Sequence, residues 1–541
     1  MTNRSFNRQE NMANLDWLEW DCIPDSINFK VTQHGSFPSC IEKIELSRGS
    51  DLKLLALGNG NGYFNFSQDD RMKKLRPGEF LPYLEDTLGN TEFGELVRLK
   101  GVSLRSSNSN LLEEKVFINA EVNEVEVINC EAPITTHVEG IVNFSLEPYT
   151  FSRATKRKQS DTFTRQRSER DKIERNSIRE ENSTLDHFCC DCAVDGKNWS
   201  LVVGNVTEKI AAAKCLSGFI EFSDINNCLP SENTKKIILA SLSFTIGRQV
   251  VSAGSTSLAE GGDRVSYTVK KVCLLGQENA YKQPSMPPTP LDHTLKQSFV
   301  DENKVSSIVN AVAAKMKDLN MEYPLFLLWL GQVSPLDVRA AHLGAAIESL
   351  RDSYCNLETT LLPKNVWKTE IKQPLLDTFD AVTANGSGAC IRFFAFSILM
   401  EAGLYRLASL LLQDYPANLD EAIKKCAAIN ILRKKLDNLN DKSSNMKYDD
   451  FFDLISLNIG EVEKAALRER NRPAHGSRYS SNQYPGLAMT TNALYTLFNR
   501  IVLKLTNAAD CYIDYSTYGY PVRPIDHPLG GPEGDGCPPQ M

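Results

Sequence analysis

Arg470, Asn471 and His475 carry the clearest chemistry in the chain, forming the spacing RNxxxH inside Arg-Glu-Arg-Asn-Arg-Pro-Ala-His-Gly at 468–476. Arginine stays charged at any cellular pH and presents a fork of donors matched to phosphate oxygens, while histidine titrates near neutrality and serves as base or acid. A ribose 2′-hydroxyl that gives its proton to a base can attack the adjacent phosphate, and a fixed cation stabilises the more negative transition state. The nucleophile belongs to the substrate, so this chemistry needs no metal. The trio is therefore suited to cleaving an RNA linkage. An arginine followed at this distance by a histidine arises by chance roughly once in such a chain, and the plain alternative is a charged surface loop. Asn471 and the helix break beside it make the pattern more specific.

Positioning such a trio requires a break in the backbone, because residues five apart on an unbroken helix point about 140° away from each other. Pro473 lacks a backbone donor and pushes Arg472 toward an extended conformation, so the helix carrying Arg470 should stop or kink before His475. Gly476 permits the chain to turn again. Arg470 is thus expected on the last helical turn, with His475 in the following loop and Asn471 free to cap or to bind phosphate.

The motif Arg470-Asn471-Arg472-Pro473-Ala474-His475, set between two long amphipathic helices, resembles that of the HEPN superfamily of RNases. The resemblance implies a metal-independent endoribonuclease without cofactor, usually a homodimer with both motifs at the interface. It implies that Arg470 stabilises phosphate charge, His475 transfers the proton and Asn471 orients one or the other. Some members use an acidic residue on the first helix of the domain, and Glu348 is the counterpart by position. The layout, a strand-rich half followed by a helical domain, is similar to that of anti-phage abortive-infection members. It implies RNA of host or phage as substrate, transfer RNA among the candidates, and a phage-derived trigger protein sensed by the first half.

At 541 residues and 60.4 kDa the chain has room for two or three domains, and its 42% hydrophobic content is ordinary for a globular protein. A net charge of −8 and a pI near 5.6 exclude a general nucleic-acid coat protein, so any RNA contact has to be local. The opening Met-Thr-Asn-Arg-Ser-Phe-Asn-Arg-Gln-Glu has no apolar run behind its charges and reads as no signal peptide. The 14 cysteines then read as scattered, mostly buried thiols of a reducing cytoplasm. The most apolar helix, Phe393 to Met400, is far too short for a bilayer, so no membrane partner is expected.

The fold class expected is α+β multidomain. An N-terminal antiparallel β-sandwich or barrel-like half at 1–282 comes first, then a Pro-rich linker at 283–300, an all-α HEPN-like bundle at 301–520 and a flexible tail at 521–541. In the first half Val116, Ile118, Ala120 and Val122 alternate with polar neighbours, and Val125 and Val127 continue after a one-residue slip that reads as a bulge. Further strands are expected at Leu52 to Leu57, Ile141 to Phe151, Trp199 to Val203, Ile237 to Ile246 and Val265 to Leu275. The Gly-rich run at 58–62 lacks the lysine and spacing of a phosphate loop and reads as a hairpin turn. The charged stretch 153–183 reads as a disordered or surface loop, with a basic RNA-holding arm as the functional alternative. His187, Cys189, Cys190 and Cys192 suggest zinc, but no second ligand pair follows at the usual spacing. Structural thiols, with Cys190 and Cys192 on one strand face, are the expectation.

Beyond the prolines the period becomes 3.6. Ala340, Leu343, Ile347, Leu350 and Tyr354 form one apolar stripe, and Leu494, Leu497, Ile501, Leu505, Ala508 and Tyr512 another. Helices are expected between them near 366–382, 388–413, 418–439 and 449–470. His342 has no chemical partner at readable spacing and is expected to pack. Two other functions remain open on these residues: a binding protein in which Arg470 and His475 grip a nucleotide or stabilise a dimer, and a zinc hydrolase built on His187 and the nearby cysteines.

Overall fold

The computed structural model of the protein describes residues 26–48, 53–62, 64, 86–110, 114–143, 150–151, 163–168, 171–175, 187–205, 218–223, 229–259, 264–272, 285–291, 299–354, 360–377, 440–470 and 480–531. The chain forms two compact units, Met1–Ser353 with Leu457–Met541, and Tyr354–Ser456. A large antiparallel sheet occupies the N-terminal half and helices dominate the C-terminal half.

The first strands are β1 (Ser26–Gln33), β2 (Ile41–Arg48), β3 (Leu54–Asn61), β4 (Thr87–Thr91), β5 (Leu96–Lys100), β6 (Ser103–Asn110), β7 (Lys115–Val122) and β8 (Glu124–Ile128). β5 runs into β6 across Gly101, and β7 into β8 across Asn123, so each pair is one long kinked strand. The Asn123 N–H faces the carbonyls of both Lys100 and Gly101, at 3.1 and 3.2 Å, yet the register is the same on either side, from Lys100 with Glu124 to Ser103 with Glu121, so the bulge expected here is corrected to a kink and the register shifts instead on β6, between Leu104 and Ser106. These long strands pair with each other throughout, β6 with β7 and β5 with β8. β3 joins β7 on one side and β4 joins β5 on the other, while β3-β2-β1-β4 completes the circuit. The ladder therefore closes on itself as a barrel-like ring around Phe29, Ile44, Val97, Ile118 and Val125, all buried.

The expected hairpin turn at 58–62 is corrected by this ring, since Gly58 to Asn61 belong to β3. Close approach, rather than turning, demands the glycines. A Cβ on Gly60 would lie 1.8 Å from the Cys40 carbonyl oxygen.

β9 (Thr136–Ile141) opens the second part of the sheet. Short strand β10 (Thr150–Phe151) follows, and β11 (Phe163–Ser168) pairs with β12 (Asp171–Arg175) as a hairpin within the charged stretch that was expected to lack structure. Next come β13 (His187–Val194), β14 (Lys197–Asn205) and β15 (Gly218–Ser223). After them lie α1 (Glu232–Ile246), β16 (Ser252–Leu258) and β17 (Arg264–Lys270), and the order from the ring outward is β8-β17-β16-β9-β15-β14-β13.

α1 corrects the strand expected at Ile237 to Ile246. Ser231 caps its start by accepting from the Thr234 N–H at 3.2 Å, and Gly247 ends it in the left-handed region at φ 66°. Ser241, Ser243 and Thr245 alternate with Leu242, Phe244 and Ile246 at the period of a strand, but their hydroxyls donate to the carbonyls four residues earlier and so are satisfied within the helix.

The edge strand β13 is covered by α2 (Glu302–Lys315), reached after β18 (Phe299–Val300), which pairs with β10. Ser306 accepts from the Asp191 N–H at 3.0 Å and Asn310 from the Ala193 N–H at 2.5 Å, while Asn310 donates to the Asp191 carbonyl at 3.1 Å. Two side chains one helical turn apart thereby occupy backbone groups that an open edge would leave for another chain.

Within the segment expected as a Pro-rich linker, the described residues Pro287 to Leu291 are buried and form a packed strap. It is stapled to the end of α1 by Met286 N–H to Gly247 O at 3.1 Å. Toward the helices, the Tyr495 and Tyr515 hydroxyls donate to the Met286 and Pro287 carbonyls at 2.9 and 2.8 Å, and Ile513 N–H reaches Pro288 O at 3.0 Å. The two compact units do not divide at 283–300, and the sheet shares one unit with the first and last helices.

Those helices are α3 (Glu322–Val333), α4 (Leu336–Tyr354), α5 (Ser444–Leu454), α6 (Glu461–Glu469) and α7 (Tyr484–Thr506). The α4 stripe is buried as expected at Ala340, Leu343, Ile347 and Leu350. The helix expected at 366–382 begins at Lys364 and passes into a π turn over Trp367–Lys372. Those expected at 388–413 and 418–439 lie outside the described residues, as does Phe393 to Met400. The single helix expected at 449–470 is broken between α5 and α6, where Ser456 adopts φ 52° and Gly460 starts the second helix.

α7 stops at Thr506, capped by Asn507 in the left-handed region, so Ala508 and Tyr512 leave the stripe assigned to them. Tyr512 enters β19 (Cys511–Ile513), which pairs with β20 (Val522–Pro524). The expected flexible tail is thus corrected for residues 522–531. Arg523 donates to the fully buried Asp514 at 2.8 Å, and the Gly530 N–H donates to the same carboxylate at 3.0 Å. Among the described residues no helix is long and apolar enough to cross a membrane.

Candidate functional site

Arg470 caps the C-terminus of α6, its N–H bonded to Ala466 O at 3.2 Å. The helix ends three residues before Pro473, in keeping with the stop or kink expected before His475. From there the Arg470 guanidinium turns back. Nη1 donates to the Leu467 carbonyl at 2.7 Å, satisfying one of the orphan acceptors of the last turn. Nη2 donates to Glu348 Oε1 on α4 at 2.5 Å.

The pair is asymmetric in burial, the Arg470 side chain being 5% exposed and that of Glu348 40%. The methylenes of Arg470 lie over Gly344, one turn before Glu348, where an added Cβ would come within 2.5 Å of Arg470 Cδ. α4 and α6 can cross this closely only because position 344 has no side chain. Sequence reading named Glu348 by position but left it outside the candidate trio, and it missed Gly344. The small run Gly344-Ala345-Ala346 beside Glu348 was the available signal.

The opposite end of α6 is fixed as firmly. Glu463, in its first turn, bonds Arg500 of α7 at 2.5 Å with both side chains fully buried. Glu463 also accepts from the Gly460 and Leu529 N–H groups, at 2.8 and 3.0 Å, and Arg500 donates to the carbonyls of Asn458 and Ile525, at 2.9 and 2.8 Å. Both charges are fully partnered, which a buried pair needs to offset its desolvation.

Asn471 and His475 lie outside the described residues, so the geometry shows the arginine of the trio without the other two. The chain that carries them leaves α6 beside Glu348 and returns at α7, whose Tyr484 hydroxyl contacts Asp337 of α4 at 3.4 Å. Arg470 and Tyr484, on either side of them, are therefore both held on α4.

His342 is half-buried where α4 meets α3 at Gly331, and desolvation holds its imidazole below the ordinary value. Cys190 and Cys192 share the buried face of β13 as expected from strand alternation. Burial and neighbouring Asp191 push the Cys192 thiol up to about 12, which makes it a poor thiolate ligand at neutral pH. Among the described residues no group of three or more His, Cys, Asp or Glu side chains is placed to hold a metal.

A sheet-rich half strapped to helices, one of which ends in an acid-held arginine, is what the fold and the described part of the site define. No family model matches the chain, and no curated protein or solved structure matches it either.

Proposed function

We propose that the protein is a metal-independent endoribonuclease of HEPN type, in which Arg470 stabilises phosphate charge, His475 transfers the proton and Asn471 orients one of them. The observation that carries this reading is the position of Arg470 at the end of α6, directly before the loop, with its guanidinium drawn to the half-exposed Glu348. Contacts at Glu348 and Asp337 are eleven positions apart on α4, about 16 Å along a helix. The residues between Arg470 and Ser480 could span roughly twice that distance if fully extended, which is the length available for bringing His475 to Arg470.

Glu348 also explains how such an enzyme stays silent. Arg470 cannot clamp a phosphate while its Nη2 serves Glu348, and activation then consists of exchanging that carboxylate for a phosphate oxygen. The layout resembles ApeA, an anti-phage abortive-infection protein. On that likeness the strand-rich half senses a phage-derived trigger, the helical region forms a homodimer, and RNA of host or phage is cut in the cytoplasm.

The experiment is incubation of purified protein with RNA in EDTA, with and without lysates from a panel of phages. Fragments ending in a 2′,3′-cyclic phosphate are expected, and a His475→Ala variant should yield none. RNA left whole by the wild type under every condition overturns the proposal.

The deep burial of Arg470 favours a second reading, in which the arginine is structural and the protein binds RNA or a nucleotide, or pairs with a second copy, without cutting. In that case Arg470→Lys lowers stability while RNA stays intact with every variant.

A further inference from the structure

Six side chains on the outside of the barrel-like ring form a row that the RNxxxH site does not use. The register sets Asn90 of β4 opposite Lys30 of β1, and Lys30 opposite Lys43 of β2. It continues with Asn59 of β3 opposite Lys43, Phe117 of β7 opposite Asn59, and Asn108 of β6 opposite Phe117. Directly opposed residues share a face. This face is the outer one, because the alternating positions Phe29, Ile44, Gly58 and Ile118 are buried. Phe117 is half-buried and the other five are exposed.

Polar groups on either side of the row are engaged with one another. Asn61 donates to Glu42 at 2.9 Å, Asn119 donates to Ser106 at 3.0 Å, and Glu121 pairs with Arg105 and Lys271. Among the described residues no side chain of the row itself makes a hydrogen bond or an ion pair. Like charges directly opposite each other on neighbouring strands repel, and Lys30 and Lys43 stand in that relation. Glu45, two residues along β2 from Lys43, lies in the next row between Asn28 and Leu57 and pairs with neither lysine.

Two adjacent cations, three carboxamides and a ring, in line across six strands, match a polymer that combines anions with flat bases. Phosphates settle on ammonium groups and release counterions. A base stacks on an aromatic ring whatever its identity, and carboxamides offer base edges both donors and acceptors. Neighbouring strands lie about 4.8 Å apart, so the row spans about 24 Å. That is room for about four nucleotides, the lower end of the range for single-strand sites on barrels. We propose that the row from Asn90 to Asn108 is a docking track for single-stranded RNA, with phosphates on Lys30 and Lys43 and a base on Phe117.

The bases of a duplex are paired and stacked within it, so the ring selects strands whose bases can be splayed out. The inference rests on the ribonuclease reading only for its choice of RNA over another single strand. It adds substrate holding to the work of the strand-rich half, and its test reads binding rather than cleavage.

The probe is a labelled oligouridylate with 2′-O-methyl groups, which has no nucleophile and cannot be cut, bound to the full-length protein at salt from about 50 to about 200 mM. Lys30→Gln combined with Lys43→Gln should make the slope of log affinity against log salt shallower by about 1.4, the value for two phosphates of a single strand. Lys30→Arg combined with Lys43→Arg should keep the wild-type slope. Phe117→Leu should weaken binding about tenfold, the scale of one lost stack, and Phe117→Tyr should retain it. No binding by the wild type, an unchanged slope in the double glutamine variant, or a duplex bound more tightly than the single strand overturns the track. Binding through the row by a protein that cuts no unmodified RNA upholds the track and sinks only the ribonuclease reading.

Discussion

Glu463 and Arg500 meet at 2.5 Å with neither side chain exposed, and this pair sets α6 against α7. Arg470 leaves the other end of the same helix, so the direction of its guanidinium depends on a charge pair two helical turns away. Removing one partner strands the other in a dry interior. Arg500→Met should therefore cost about 3–5 kcal/mol, read as a lower denaturant midpoint at unchanged m-value. A loss below about 1 kcal/mol would mean that water reaches Glu463.

Arg470→Lys keeps the charge but cannot reach both the Leu467 carbonyl and Glu348 with a planar fork. RNA cleavage should fall by about 10²–10³-fold, the usual consequence of losing one donor that stabilises the transition state. Circular dichroism should remain that of a folded chain. Near-normal cleavage by this variant is the outcome that removes Arg470 from the mechanism.

Gly344→Val places branched carbons where Arg470 Cδ already lies 2.5 Å from the position of a Cβ. Overpacking of this kind costs about 1–3 kcal/mol, and Gly344→Ala should cost less because the arginine methylenes can shift. Thermal unfolding measures both. An unchanged midpoint for the valine variant would show that α4 and α6 do not approach this closely.

Glu139 links stability to pH. Burial by itself would raise its carboxyl, but the contact with His137 and the charges of Lys270 and Lys235 outweigh burial and hold it well below the usual carboxylate range. A depressed folded value stabilises the fold above the unfolded value of about 4.3, and this contribution fades as pH falls toward the folded value. Wild-type stability should drop steeply below about pH 4. Glu139→Gln should be less stable near neutrality and flatter in acid, and parallel profiles for the two proteins would contradict the assignment.

Ending the chain at Pro521 removes Arg523 and the N–H groups of Leu529 and Gly530. Asp514 and Glu463 then lose buried partners. The truncated protein should unfold at least about 3 kcal/mol earlier, or accumulate as insoluble material, because an uncompensated buried carboxylate is costly. Full stability after this truncation would return residues 522–531 to the role of a loose tail.

Much of the β half could be read directly from alternation. Val116 to Val122 and Val125 to Val127 showed the strands, since one face of a strand is buried, but the slip between them is a kink and the register change lies on β6 between Leu104 and Ser106, where no alternation marked it. Ile237 to Ile246 was misread because Ser241, Ser243 and Thr245 alternate with apolar residues as in a strand, while in the helix their hydroxyls bond back to the preceding turn. Its end signals, Ser231 and Gly247, were present and outweighed by apolar content. Gly58 and Gly60 misled in the opposite sense, as glycine marks both turns and places where two backbones touch. The prolines at 287, 288 and 290 and the stretch after 521 have the composition of connectors. Whether such a segment is loose or clamped is decided by tyrosines and carboxylates elsewhere in the chain, at Tyr495, Tyr515 and Asp514.

By itself the sequence determined that the helix carrying Arg470 must stop or kink before His475, because Pro473 disfavours helical backbone in the residue before it whatever surrounds it. It also determined which residues could do chemistry there. Only the tertiary structure decided what Arg470 faces. Its partner Glu348 stands 122 residues away, its bed at Gly344 belongs to another helix, and its helix is aimed by Arg500 of a third. Backbone preferences act over a few residues, whereas the direction of a buried charge follows from whichever distant groups packing brings within hydrogen-bond reach.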